Sequence, residues 1–518
     1  MGILTSIARK VMMPRVHAAE SWTGNGIETV QRKQLEALTA VGEKTRYGSA
    51  DGIDRPGKPM TRTDSHSVFS ETVPVTSYPD IRRLVERMID GEKDILWRGR
   101  CLRFAQSSGT SDGKSKYIPV TDDSLRLNHY VGAKDAVAHY LAQNPDSRMF
   151  EGKGFILGGS FANELELPKN VRVGDLSANL IEGVNPLVNL FRVPSKKIAL
   201  LENWSEKLPA LVEASRHADV TNISGVPSWF MTVIQRVIDA ENATNIHQVW
   251  PNLEVFFHGG ISMAPYRRAY AALTDPSAAM HYRETYNASE GFFAVQDTVE
   301  PGPMRLLLDV GVFYEFIPLD ALDENDPWPK ALAAWQLEQG KTYALLITAA
   351  NGLWRYQIGD TVRVESVDPL RITIAGRTKH FINAFGEEVM VHNTDRALER
   401  ACESTGALVE NYTVAPLFAE GREHGRHQWL IEWRNKPQDM DTFAELLDKA
   451  LQGENSDYQA KRAGSIFLDR LQIISAPQGF FDRWLGLTGK LGGQRKVPRL
   501  SNSRNTMDSM LALISGTE

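Results

Sequence analysis

The chain has 518 residues, 42% of them apolar and 24% charged, and a formal net charge of −6. That length can bury large cores and suggests about three domains, while the acidic balance excludes a bulk basic field that would recruit nucleic acid. Two cysteines, Cys101 and Cys402, exclude a disulfide framework and suit a reducing cytoplasm, and no run approaches the ~18 uninterrupted apolar residues of a membrane span.

The opening "MGILTSIARKVMMP" has no apolar region long enough for a signal peptide. It matches M-G-x-x-x-S, a short myristoylation pattern, but reads as an ordinary N-terminal helix. Residues 44–78 are polar and loop-heavy. In "YPDIRRLVERMIDGE", Ile81, Leu84, Val85 and Met88 share a helical face, with Asp80 as the expected N-cap and Gly91 as the stop. "CLRFAQ" reads as a strand, "SSGTSDGKS" as a loop, and "KYIPV" as extended, because a residue before proline is pushed out of the α region. A helix capped by Thr121 or Asp122 follows. Further on, "GVPSWFMTVIQRVID" is a helix with Pro227 in its first turn. "LEVFFHGG" is a buried strand ending at Gly259-Gly260, and "HYRETYNASEG" a strand ending in a loop. Strands alternating with helices predict an α/β core.

From about 303 to 375 the strand signals "RLLLDVGVFYEFIP", "TYALLIT", "RYQIGDTVRV" and "RITIAG" crowd together, which predicts antiparallel structure. Beyond Gly376, two helices and three strands predict a compact α+β domain over 376–518, with a hinge near 376. The expected division is therefore 1–375 and 376–518.

The 107–116 loop nearly matches a P-loop, G-x-x-x-x-G-K-[ST], but position 108 is serine. A P-loop also runs straight into a helix whose N-terminus meets the phosphate, whereas this loop lies between extended segments. Its hydroxyls, its glycines Gly109 and Gly113, and its lysines Lys114 and Lys116 suit an anion, although a solvated turn has the same composition. "YNASEG" at 286–291 offers an aromatic ring and a carboxylate suited to a purine and a Mg²⁺. Its Ser289 lacks the glycine two residues earlier that a hydrolase elbow needs. Asp360, after Gly359, can accept from a ribose diol or serve turn chemistry. "QRKVPR" at 494–499 is a basic run that can solvate or deliver a lysine, and "HGRH" at 424–427 reads as surface rather than metal-binding.

Taken in order, these segments resemble acyl-adenylate-forming enzymes, and most closely the GH3 family of ATP-dependent acyl-acid amido synthetases. "SSGTSDGKSKYIP" resembles the family's first nucleotide motif, "YNASEG" its second and "YQIGD" its third, while "QRKVPR" is similar to its C-terminal K-x-P-R segment. The resemblance runs from about residue 70 to the C-terminus. It implies that Ser107, Ser108, Gly109, Thr110, Ser111 and Lys116 hold the ATP phosphates. Gly259-Gly260 matches the family's Gly-Gly strand end beside the nucleotide. Tyr286 would pack on adenine, with Ala288 and Ser289 lining its site. Glu290 would ligate Mg²⁺, Asp360 would hold the ribose hydroxyls, Arg377 would lie at the hinge, and Lys496 would arrive from the C-terminal domain. Gln357 stands where arginine is usual, and Ala288 where serine is frequent.

The implied fold is a mixed α/β and α+β one: a large N-terminal domain with α/β subdomains and a β-barrel, and a small mobile C-terminal lid. The implied activity is a ligase reaction with ATP and Mg²⁺, in which a small carboxylic acid is adenylated and its acyl group passes to an amino acid amine. Lys116 and Lys496 would be the catalytic cations. The alternatives are a thiol acceptor (CoA or a carrier protein) and a non-catalytic ATP-binding regulator. A cytoplasmic protein with no nucleic-acid or membrane partner is expected.

Overall fold

A computed structural model describes residues 2–50, 56–107, 116–161, 163, 165–184, 186–260, 263, 266–298, 302–323, 326–377, 381–387, 389–418, 424–463, 468–487 and 497–515. Two long helices, Ile3–Glu20 and Asn25–Gly42, come first. The Tyr78–Ile89 helix buries Ile81, Leu84, Val85 and Met88, as their spacing predicts. Its N-cap is Ser77 rather than Asp80. Asp80 sits three residues in, and its carboxylate accepts from the Ser77 backbone N–H and hydroxyl, both at 2.7 Å. This is the carboxylate half of a capping box, a pattern that a single-residue reading of the cap passes over. Thr121 does cap its helix, accepting from the Ser124 N–H at 2.9 Å. That helix passes through a π-turn at Leu125–His129 before running regularly over Tyr130–Gln143.

The strands in chain order are β1 Arg103–Ser107, β2 Lys116–Pro119, β3 Lys153–Ile156, β4 Arg172–Gly174, β5 Arg192–Val193, β6 Val220–Gly225 and β7 Val255–Gly259. Then come β8 His281–Ala288, β9 Gly291–Gln296, β10 Met304–Leu306, β11 Val312–Pro318, β12 Leu332–Ala333, β13 Thr342–Ala349, β14 Leu353–Val367 and β15 Leu370–Arg377. The last five are β16 Phe381–Ile382, β17 Val389–Met390, β18 Leu408–Leu417, β19 Arg426–Asn435 and β20 Gln472–Ala476.

The main sheet has the order β12-β11-β13-β14-β15-β10-β9-β8-β7-β6-β3-β5. From β5 to β8 neighbours run parallel, because helices such as Pro227–Ala240 and Arg267–Leu273 return the chain across the sheet between strands. From β8 to β12 they run antiparallel. Antiparallel pairing thus begins at the β8–β9 hairpin, ahead of the texture change near 303. The expected barrel is corrected here: among the described residues the sheet is open. Its antiparallel half continues into the parallel half through the β8–β9 pair instead of pairing back on itself.

The sheet β18-β19-β20 packs with the helices Val391–Thr405 and Met440–Glu454. One apolar cluster joins Phe155, Phe230, Trp250, Phe256 and Tyr266 to Phe385, Trp429 and Tyr458 of this later region. The Tyr266 hydroxyl donates to the Ala384 carbonyl at 2.8 Å, and the Lys461 ammonium lies 3.6 Å from the Trp229 ring centre. His427 corrects the surface reading of "HGRH". It lies on β19, the central strand of its sheet, is fully buried, and its Nε2 is 2.8 Å from Glu387 Oε1.

Candidate functional site

The candidate nucleotide site takes in the carboxyl ends of β7 and β8, the kind of place where open α/β sheets bind ligands, together with the β1–β2 hairpin and antiparallel β14. The first motif straddles a hairpin. β1 and β2 pair antiparallel with Ser107 directly opposite Lys116, so the extended flanks expected of a non-Walker loop are present. Ser108, Gly109, Thr110, Ser111 and Lys114 lie outside the described residues. The base of the hairpin is tied down by the Tyr117 N–H, which donates to the Tyr78 hydroxyl at 2.8 Å. Burial pushes the Tyr78 phenol up to about 12, so it stays protonated. Two residues earlier, Thr76 pairs with Tyr356 in β14, and the Gln357 N–H donates to the Thr76 carbonyl at 2.8 Å. Segment 76–78 therefore links the base of the β1–β2 hairpin to the strand that carries Asp360.

The second motif ends β8. Gly259 lies opposite Thr285, and a Cβ at Gly259 would fall 2.5 Å from the Thr285 carbonyl oxygen. Only glycine permits that approach. Gly260 turns away with φ +82°. Ala288 pairs with Gly291, so Ser289 and Glu290 form a two-residue turn between β8 and β9. That turn is held from outside. The Asn351 amide donates to the Glu290 carbonyl at 3.0 Å. Asn128, from the π-turn, accepts from the Phe292 N–H at 2.6 Å and donates to the Phe292 and Val310 carbonyls at 2.9 and 3.0 Å. Such π-turns often occur where a helix must re-aim a side chain.

The third motif meets the second directly. The Tyr286 hydroxyl donates to Asp360 Oδ2 at 2.6 Å. Tyr286 is 3% exposed, and its ring lies 5.1 Å from that of Phe293 in an edge-on arrangement. What Tyr286 presents to a ligand is therefore restricted, and its hydroxyl is spent on orienting Asp360. Arg377 lies opposite Asp360 across β14–β15; its side chain is outside the described set. Lys496 is likewise outside the described residues, but its neighbours are anchored to β18. The Thr413 hydroxyl donates to the Pro498 carbonyl at 2.6 Å, and the Arg499 guanidinium stacks 4.6 Å from the Tyr412 ring centre.

Two constellations had no signature in the sequence. Arg355 on β14 and Glu315 on β11 form an ion pair at 3.0 Å, with side chains 0% and 1% exposed. The same guanidinium donates to the Ser70 and Val73 carbonyls, and His66 Nε2 lies 3.0 Å from Glu315 Oε1. Arg355 adopts φ +42°, a left-handed conformation that costs a non-glycine residue energy and persists only where packing over-determines it. Separately, at the end of β3, the buried Lys207 donates to the Gly158 and Gly159 carbonyls at 2.7 and 3.1 Å. Burial pushes its pKa down to about 8, opposed by the attraction of Asp175. Lys207 sits in an unremarkable amphipathic stretch, "WSEKLPALVEAS", and only the tertiary fold singles it out.

The hairpin, the Gly-Gly strand end, the Ser289–Glu290 turn and Asp360 thus form a connected framework. Comparison with known proteins gives this framework a family. The N-terminal, central and C-terminal domain models of the GH3 family match residues 17–278, 305–377 and 392–505. The chain belongs to the GH3 family. A jasmonoyl–L-amino acid synthetase, GH3.5 of Oryza sativa subsp. japonica, is 23% identical over 92% of this chain and 93% of its own length. A 4-substituted benzoates–glutamate ligase, GH3.12 of Arabidopsis thaliana, is 22% identical over 92% and 94%. Among solved structures, the GH3.15 acyl acid amido synthetase in complex with 2,4-DB shares the fold, with a TM-score of 0.59, 17% identity and coverage of 96% and 95%. So does a 2-hydroxyisobutyryl-CoA ligase, with a TM-score of 0.55, 12% identity and coverage of 95% and 92%. Among the described residues no helix is long and apolar enough to cross a membrane, and none forms a cluster of three or more metal-ligating side chains.

Proposed function

We propose that this GH3 chain adenylates a carboxylic acid with ATP and transfers the acyl group to the amine of an amino acid. The observation that carries this is the Tyr286–Asp360 hydrogen bond of 2.6 Å, which joins the second and third nucleotide motifs into one site. In the first step a carboxylate oxygen attacks the α-phosphorus, the bond to the bridging oxygen breaks, and pyrophosphate leaves. In the second the neutral amine attacks the acyl carbonyl, AMP departs, and the amine proton is lost. A free carboxylate is a poor acyl donor, so activation must come first.

Side chains have little covalent work in such steps; positioning and charge neutralisation supply the rate. Ser107, the hydroxyls and glycine of 108–111, and Lys116 would hold phosphates, and Asp360 would accept from the ribose hydroxyls. Gly259, Gly260, Ala288 and Ser289 would let the nucleotide approach the strand ends. Tyr286 would hold Asp360 and flank the base with its edge. Glu290, at the head of the β8–β9 turn, suits Mg²⁺, which takes few carboxylates and keeps phosphate oxygens and water. When bound there, the ion would neutralise phosphate charge. We further assign 376–518 as a lid that brings in Lys496 by moving about the segment containing Arg377. The hydrogen-bonded anchoring of Pro498 and Arg499 to β18 supports that carriage.

The test is to incubate the protein with ATP, Mg²⁺ and a panel of acyl and aryl acids, and to follow labelled pyrophosphate exchange. Exchange with at least one acid is expected; silence across a broad panel would sink adenylation. Because the fold is shared with a CoA ligase, product mass then separates an amide from a thioester. ATP binding without pyrophosphate release would point to a regulator instead.

A further inference from the structure

The Ile3–Glu20 helix is docked through Thr5, Arg9 and Arg15, together with Met12 and Ala19, which pack on the core. Thr5 is fully buried; its N–H donates to Glu151 Oε1 at 3.1 Å and its hydroxyl accepts from the Phe150 N–H at 3.1 Å. Arg9 donates to the Asn144 carbonyl at 2.8 Å, and Arg15 pairs with Asp135 and Asp309, both at 2.6 Å. The opposite face is apolar and open to solvent: Ile3 is 78% exposed, Leu4 44%, Ile7 58% and Val11 62%. Positions 3, 7 and 11 repeat every four residues, so they form one stripe. A helix packed on a globular body ordinarily turns this stripe inward.

A second exposed apolar segment lies close by in the fold. Val188, Leu190 and Phe191 are 44%, 63% and 45% exposed. Both segments attach to residues 150–153, one through Glu151 on Thr5, the other through the Lys153 ammonium on the Leu190 carbonyl.

We propose that this face seats the protein on an anionic membrane surface, with the Ile3–Glu20 helix lying in the plane of the headgroups. The charge on the helix selects that occupant. Arg15 is spent on Asp135 and Asp309, but Lys10 stands on the open face, and the helix has no carboxylate before Glu20 at its end. Lys10 is exposed on the stripe itself, and Lys153 is exposed between the two segments. In-plane helices of this kind bind through a buried apolar face and basic flanks. No acyl chain is needed. A Cβ at Gly2 would fall 1.9 Å from Glu151 Oε1, so a larger residue there would displace the Glu151 side chain. The proposal replaces the expectation of no membrane partner and is independent of the adenylation chemistry.

The experiment floats the full-length protein on a density gradient with vesicles of phosphatidylcholine, alone or mixed with phosphatidylglycerol. The protein should rise with the anionic vesicles, and less so in added salt. The double variant Ile7→Glu with Val11→Glu should lower the partition constant at least about tenfold at an unchanged thermal midpoint. Lys10→Glu, a milder change at an exposed site, should weaken flotation on anionic vesicles only. The proposal is overturned if wild-type protein stays at the bottom with anionic vesicles, or if both variants float as it does. Light scattering that finds a dimer abolished by the double variant, without flotation, overturns it in favour of a second copy.

Discussion

The Tyr286 phenol reaches Asp360 over 2.6 Å, although β8 and β14 stand four places apart in the main sheet. Four steps of a flat sheet would span about 19 Å. The antiparallel half must therefore curl until its strands face one another. Register shifts lie where that bend is needed, between Tyr286 and Asn287 in β8 and between Thr361 and Val362 in β14. Bulges bend and twist a strand locally. The curl brings the two nucleotide motifs together without closing a barrel.

Tyr286→Phe removes the hydroxyl and keeps the ring. It should cost about 1.5–3 kcal/mol of stability, the range for a hydrogen bond to a charged group. It should also raise the ATP dissociation constant by up to about tenfold, read by calorimetric titration. Asp360→Ala should weaken ATP binding more than Tyr286→Phe does. Unchanged ATP affinity in Asp360→Ala would refute the ribose assignment.

Lys116 is paired into the hairpin base, opposite Ser107, whereas Lys114 lies outside the described residues. Lys116→Ala should lower pyrophosphate exchange by about 10²-fold, as losing one preorganised charge contact does. Lys114→Ala should stay within about threefold of wild type. The reverse order would show that the loop follows Walker logic after all.

Arg355→Met strips the partner from a carboxylate that is 1% exposed. Breaking a buried pair from one side costs about 3–5 kcal/mol, and the urea midpoint should fall accordingly. The double variant Arg355→Met with Glu315→Gln should lose less than the sum of the two single variants, because the groups act as one unit.

Acid should unfold the protein partly through the same pair. Burial alone would raise the Glu315 pKa, but Arg355 and His66 outweigh it and hold the carboxyl below its usual value of 4.5. The folded form therefore binds a proton less readily than the unfolded form. The resulting stabilisation is complete above the unfolded pKa and is lost as pH falls through the folded one. Thermal midpoints measured from neutral pH downward should drop steeply below about pH 4.5. Glu315→Gln should flatten that acid limb.

Asn128→Ala tests the support of the Glu290 turn. It abandons three buried hydrogen bonds, to Phe292 N–H and to the Phe292 and Val310 carbonyls. A loss of about 1–3 kcal/mol is expected for the groups left unpaired. If the turn positions the nucleotide, adenylation should fall further than stability alone explains, with the Mg²⁺ concentration for half-maximal rate raised.

The amino-acid sequence by itself determined the local elements and the chemistry on them. The 3.6-residue spacing in Ile81–Met88 marked a buried helix face, the extended "KYIPV" after the loop argued against a P-loop, and the ordered motifs pointed to the GH3 family. Those signals are local, because they report burial period and backbone preference over a few residues. The tertiary structure alone decided that the sheet is open and curled, that Tyr286 is buried against Asp360, and that His427 is a core residue. It also decided that Arg355 pairs with Glu315 in the interior, and that the first helix turns Ile3, Ile7 and Val11 outward. Each of these depends on which distant segments lie side by side, and long-range strand pairing and packing leave no period in the chain to be read.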